Sequence, residues 1–252
     1  MKKRAFFLDI DATIYNGRAV SEEDREAIRR AREAGHKVFI NTARLYGRFP
    51  KSVNELEFDG YVTALGTHIV YEGQMIRQVL MPRELVTEVL EYALERNIKL
   101  SIEEATRVIY VNQIPQSAKY TLEKGESFWE KYPDAVVYKF YIRELLSEEH
   151  KKYFGERGEL QGSGHTYELA PSGCTKAGGI RFMEECLGIP HESTVAVGDS
   201  MIDADMIRYA SVGVAMGNSE EALKEIADMV TKPISEAGVA YAIRVLTECN
   251  EE

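Results

Sequence analysis

The sequence predicts an α/β fold in which a parallel sheet, made by alternating strands and helices, is interrupted by an inserted α+β block. Residues 6–65 run apolar segment, helix, apolar segment at the spacing of a parallel βαβ unit, and residues 166–247 repeat that alternation. From Pro82 to Gly162 the alternation breaks, with short strand-like runs between helices. The expected division is a discontinuous core, residues 1–81 and 163–252, with residues 82–162 inserted as a second domain.

The opening apolar run, Phe6-Phe7-Leu8, ends in Asp9-Ile10-Asp11. Residues two apart on a strand point the same way, so these carboxylates repel each other unless a cation lies between them. Oxygen ligands at a strand end suit Mg²⁺, which takes one or two protein carboxylates and keeps room for water and a substrate phosphate. An EF-hand loop starting at Asp9 is excluded, because its required Gly and Glu fall on Ile14 and Val20. Ser21 caps a predicted helix through Gly35, with Glu22, Glu23 and Asp24 at its positive end. Lys37 to Thr42 follows as a strand that delivers a hydroxyl and then Arg44. In an open parallel sheet ligands gather at such strand ends, so Thr42 is expected near Asp9. Gly60 to Leu65 and Ile69 to Tyr71 are strands closing this half.

In the insert, Pro82 opens a helix to Asn97, Arg107 to Val111 and Ala135 to Tyr141 are strands, and Ser147 to Arg157 is a further helix. Trp129, the only tryptophan, and many of the 14 tyrosines are read there as packing. His165, Tyr141 and Arg143 carry ligand-binding chemistry but are read as ordinary surface or packing. Thr166 to Leu169 is the strand that resumes the core, and Lys176 opens a helix through Leu187. Thr194 to Asp199 is an apolar strand ending in acid, with Asp203 and Asp205 just beyond. Val212 to Met216 is a strand, Asn218 or Ser219 caps a helix through Asp228, and Val239 to Thr247 is a last helix. Gly162-Ser163-Gly164 is no dinucleotide loop, since the third glycine position is Tyr167 and a strand follows.

The 252 residues carry 31 Lys and Arg against 41 Asp and Glu, and the formal charge of -10 opposes binding of nucleic acid or anionic lipid. A small substrate is expected instead. No apolar stretch approaches the ~20 residues of a membrane span, and no signal peptide follows Met1-Lys2-Lys3-Arg4. Cys174, Cys186 and Cys249 lie far apart without CxxC spacing, which indicates neither a disulfide framework nor a zinc site and makes the cytoplasm the expected location.

Four distant segments thus bring acid, hydroxyl or ammonium to a strand end or helix start: Asp9 and Asp11, Thr42, Lys176, and Asp199 with Asp203. In this order they resemble the haloacid dehalogenase-like superfamily, in its Cof-type sugar-phosphatase branch with a cap between the second and third motifs. Asp9 to Thr13 is similar to the Asp-x-Asp-Gly-Thr loop, Asn41 to Arg44 to the Thr-Gly-Arg motif, and Lys176 with its lead-in Tyr167-Glu168-Leu169 to the third motif. Gly198 to Asp203 resembles the fourth. The chain departs from the pattern at Ala12 and Ala43, which replace glycines, and at Leu65 and Ile202, which replace asparagines. A methyl at the first two is tolerated where φ is negative. The apolar side chains at the other two remove hydrogen bonds around the metal.

The resemblance covers nearly the whole chain and implies a Rossmann-like core under a mixed α/β cap. It implies Mg²⁺-dependent hydrolysis of a small phosphorylated metabolite through an aspartyl phosphate. Asp9 is then the nucleophile, and Mg²⁺ is held by the carboxylates of Asp9 and Asp199 and the backbone carbonyl of Asp11. The Asp11 side chain acts as general acid and then base, Thr42, Ala43 and Lys176 hold the phosphoryl oxygens, and Asp203 orients Lys176 or metal-bound water. A mutase that passes the phosphoryl group to another hydroxyl, and a binding protein without turnover, are the rival readings.

Overall fold

The N-terminal apolar run forms β1 (Ala5–Leu8), buried throughout and central in an eight-stranded sheet. The computed structural model describes residues 3–248, and Met1, Lys2 and Cys249 of the sequence reading lie outside the described residues. After β1 come α1 (Glu22–Glu33), β2 (Lys37–Asn41), the single turn α2 (Lys51–Asn54), β3 (Gly60–Thr63), β4 (His68–Tyr71) and β5 (Gln74–Gln78). The second sheet and its helices follow: α3 (Arg83–Arg96), β6 (Leu100–Glu103), β7 (Val108–Val111), β8 (Tyr120–Leu122), α4 (Phe128–Lys131), β9 (Lys139–Ile142), α5 (Glu148–Gly155), β10 (Glu159–Ser163) and β11 (Thr166–Ala170). The remaining elements are α6 (Lys176–Leu187), β12 (Thr194–Gly198), α7 (Ala204–Tyr209), β13 (Val212–Ala215), α8 (Glu221–Lys224), β14 (Met229–Val230) and α9 (Gly238–Glu248).

The first sheet has the order β14-β13-β12-β1-β2-β3-β4-β5, parallel from β14 to β3 and antiparallel beyond. Strand β1 lies between β2, reached early, and β12, reached late, so the order reverses at β1 and leaves a crevice outside the carboxyl ends of these three strands. Strand alternation splits the core in two. Phe6, Leu8, Val38, Ile40, Val195 and Val197 pack with residues of α1 and α9, while Phe7, Phe39, Val62 and Ala196 pack with residues of α6 and α7. Asp24 does more than favour the positive end of α1: it is buried, accepts from the Ala240 N–H of α9 at 2.8 Å and from Ser21 Oγ at 2.7 Å, and so ties two helices together.

The second sheet, β10-β11-β9-β6-β7-β8, obeys the same alternation. Leu100, Ile102, Ile109, Val111, Phe140, Ile142 and Leu169 face the helices and form its core. Glu103, Val108, Tyr110, Lys139, Tyr141 and Glu168 face the crevice of the first sheet across a cleft of about 540 Å³. Trp129 packs against this core as expected, with Nε1 donating to Thr87 Oγ1 at 2.9 Å.

Sheet pairing corrects two expectations. Thr166 to Leu169 does not resume the parallel core, because β11 pairs antiparallel with β10 and β9. The short turn after Ser163 folds β11 straight back on β10, and a hairpin partner is nearer than any parallel neighbour. The helix expected through Asp228 shrinks to the single turn α8. Asn218 Oδ1 accepts from the Ile234 N–H at 2.8 Å instead of capping a helix, and Asp228 bonds Gly213 through both backbone and side chain, which starts β14. Five strands are absent from the sequence reading: β5, β8, β10 and β14 are sheet edges, where alternation is weakest, and β6 is interior. No helix among the described residues is long and apolar enough to cross a membrane.

Candidate active site

Asp9 sits at the carboxyl end of β1, and its N–H donates to Val197 O at 3.0 Å, extending the ladder toward β12. Its side chain is buried, and Oδ1 accepts from Lys176 Nζ at 2.6 Å. Lys176 is the first residue of α6, whose start is fixed from three directions. Thr175 caps it through the Gly178 N–H at 2.9 Å, Asp205 Oδ2 accepts from the Ala177 N–H at 3.1 Å, and Asn41 Nδ2 donates to Lys176 O at 3.0 Å. The ammonium also donates to Asp203, which is fully buried. The other oxygen of Asp203 accepts from the N–H groups of Asp199 at 2.9 Å and Ser200 at 3.0 Å. Gly198 makes this possible, since a Cβ there would come within 2.5 Å of the Asp203 carboxyl carbon.

Asp199 follows β12 and accepts from Thr13 Oγ1 at 3.4 Å. Oxygens of Asp9, Asp199 and Asp203 lie within 4.8 Å of one another. Thr42, buried just past β2, and Ala43 line the same cleft, with Thr42 Oγ1 accepting from the Arg44 N–H at 3.2 Å. Asp11 also lines the cleft, but its half-exposed carboxylate is turned toward Arg44 and away from the other acids.

Burial pushes the Asp9 carboxyl up to about 7 against the pull of Lys176, and Asp203 adds to the rise. Burial, with Asp9 and Asp203 beside it, pushes Asp199 up to about 7 as well. Burial works against the charge on Lys176, but Asp203 and Asp9 outweigh it and hold the ammonium above its ordinary pKa. Three carboxylates around one ammonium leave negative charge uncompensated, and an all-oxygen set of this kind fits a hard divalent cation. Asp203 spends both oxygens on protein donors, so Asp9 and Asp199 are the carboxylates with room for a metal. The Asp11 side chain is bound by Arg44 and is not part of this acidic cluster.

Residues 6–243 match the family model of haloacid dehalogenase-like hydrolases. The chain belongs to that family. This hydrolase is 32% identical over 257 residues to "Putative phosphatase YkrA" of Bacillus subtilis (strain 168), with 98% of each chain covered. It is 28% identical over 241 residues to 5-amino-6-(5-phospho-D-ribitylamino)uracil phosphatase YcsE of the same organism, covering 94% of this chain and 93% of that one. The structure of the HAD subclass IIB sugar phosphatase BT4131 superposes with a TM-score of 0.82 at 25% identity, over 97% of this chain and 99% of the other. The haloacid dehalogenase-like hydrolase described here is a phosphatase with the Cof-type organisation: a Rossmann-like core whose sheet is interrupted by a capping insert.

The departures from the family pattern have distinct outcomes in this hydrolase. Ala12 has φ +54, so the condition under which a methyl is tolerated does not hold there, and the left-handed backbone costs about 1 kcal/mol with a Cβ present. Leu65, also left-handed at φ +59, is buried with Ala170 and Cys174, and Ala43 and Ile202 pack against the same cluster. The two sites where asparagine is replaced therefore meet in one apolar patch.

Arg44, Arg48, Glu103, Lys139 and Glu168 also line the cleft, although the sequence reading gave none of them a role. Arg44 and Glu168 stand inside recognised motifs, so their neighbourhood was readable. Lys139 and Glu103 arrive through strand register, opposite each other across β9 and β6, and carry no local signal. Tyr141 and Arg143 line the cleft, and the Arg143 guanidinium lies 4.9 Å from the Tyr141 ring centroid. His165 is not among the lining residues.

Proposed function

We propose that this phosphatase hydrolyses small phosphomonoesters, sugar phosphates foremost, with Mg²⁺ and through an aspartyl phosphate on Asp9. The observation that carries the reading is the buried Asp9 carboxylate, held at 2.6 Å by Lys176, beside Asp199 and open to the cleft. Asp9, Asp199 and the Asp11 carbonyl would hold a Mg²⁺, whose positive charge would let an anionic nucleophile meet an anionic phosphate. Asp9 forms the new O–P bond as the bond to the leaving oxygen breaks. Asp11 gives that oxygen its proton and later takes one from the water that opens the aspartyl phosphate. Lys176, the Thr42 hydroxyl and the Ala43 N–H hold the remaining phosphoryl oxygens and stabilise their charge, while Asp203 keeps Lys176 in place. The cleft-facing side of the second sheet acts as the cap, excluding water during the first transfer and admitting it for the second.

Support for a sugar phosphate comes from similarity to the sugar phosphatase BT4131, and YcsE adds a substrate with a phosphorylated ribityl chain. The test is phosphate release from a panel of sugar phosphates and 4-nitrophenyl phosphate, with Mg²⁺ and with chelator. Mg²⁺-dependent release is the expected result. A folded, Mg²⁺-supplied protein that releases phosphate from none of them overturns the reading.

A further inference from the structure

Lys139 of β9 and Glu168 of β11 form an ion pair on the cleft wall, 3% and 6% exposed. Withdrawing both charges from water costs about as much as their contact returns, so stability does not account for a charged pair at this place. Its hydrogen-bonding capacity is only partly used. Among the described residues the Lys139 ammonium spends one donor, on Glu168, and the carboxylate spends one oxygen in return. The other acid on this wall is already committed, since Glu103 accepts from Arg48 at 2.9 Å and from Ser101 at 3.1 Å. Tyr141, the register partner of Glu168, places a ring beside the pair, 5.9 Å from Lys139 Nζ. Glu168 also feels the ammonium of Lys176, which ties this wall to the reacting end of the cleft.

A fixed donor beside a fixed acceptor matches two adjacent hydroxyls, one accepting from the ammonium and its neighbour donating to the carboxylate. A second anionic group on the ligand would meet Glu168, and a cationic one would meet Lys139. We propose that Lys139 and Glu168 are specificity-determining residues that bind a vicinal diol of the leaving group, so that the substrates are monophosphates of neutral sugars and polyols. The assignment rests on the phosphatase reading above and deepens it.

The test compares kcat/KM for aldose and alditol monophosphates, their deoxy counterparts and 4-nitrophenyl phosphate. Wild type is measured beside Glu168→Gln and the double variant Lys139→Met with Glu168→Leu, which leaves no unpaired buried charge and so protects the fold. In wild type, loss of one hydroxyl of the diol lowers kcat/KM about 10- to 100-fold, the worth of a hydrogen bond to a charged group. The double variant is expected to lose that discrimination, and its ratio of sugar phosphate to 4-nitrophenyl phosphate activity falls by a similar factor. A ratio and a deoxy penalty that stay at wild-type values, whether overall activity drops or not, overturn the assignment. Wild type that hydrolyses 4-nitrophenyl phosphate but no hydroxylated ester overturns it too, while leaving the phosphatase reading intact. Wild type inactive on every ester removes both.

Discussion

Arg44 grips Asp11 with two parallel hydrogen bonds, Nε to Oδ2 at 2.6 Å and Nη2 to Oδ1 at 2.7 Å. The same guanidinium donates to Arg48 O at 3.1 Å, so the carboxylate is held against the loop that follows β2. A planar fork of this kind fixes direction as well as distance, which a lysine cannot reproduce. Arg44→Lys is therefore expected to lower kcat about tenfold on alkyl phosphates, whose leaving oxygen needs a proton, and much less on 4-nitrophenyl phosphate. Equal losses on both would show that Arg44 serves phosphate binding and not Asp11.

Asp9→Asn removes the proposed nucleophile while keeping its shape. Turnover should fall about 10³-fold or more, as when other covalent catalysts lose their nucleophile. Acid quenching of wild type during turnover of a radiolabelled substrate should trap phosphate on the protein, and the label should map to Asp9. Label on another residue, or activity in the variant close to wild type, would reject the aspartyl-phosphate route.

Asp9 and Asp199 are both pushed up to about 7, by burial before any other cause. An unfolded Asp titrates near ~3.9, so between about pH 4 and pH 7 the folded state binds more protons than the unfolded one. The stability this lends is present below that window and lost as pH rises through the folded values. The metal-free protein should accordingly lose melting temperature across the window. Mg²⁺ needs both carboxylates ionised, so its stabilising shift in Tm should be larger near about pH 8 than near about pH 5.5. A shift that is the same at both values, or that survives the double change Asp9→Asn with Asp199→Asn, would place the metal elsewhere.

Ala12 holds a left-handed backbone at φ +54 where glycine is at ease. Ala12→Gly should stabilise the fold by about 1 kcal/mol, read as a higher urea midpoint at unchanged slope. A lower midpoint would mean that the methyl packs well enough to outweigh the strain.

The sequence by itself determined the parallel core, because strand segments such as Phe6 to Leu8 and Val195 to Gly198 are apolar throughout and end abruptly in acid. Those strand ends already marked Asp9 and Thr42 as neighbours, since one topology rule places ligands at the carboxyl ends of such strands, and showed Asp199 as a further strand end carrying acid. Tertiary structure decided what a local pattern cannot carry. The sheet that β11 joins depends on which partner lies nearest, and the orientation of Asp11 depends on a guanidinium 33 residues away in the chain. The cleft wall of Lys139, Glu168 and Glu103 exists only because three strands align in register, each alternating between an apolar and a polar face. Pairing and register are long-range, set by the whole sheet closing its core, so the residues that face the substrate became visible only in the folded chain.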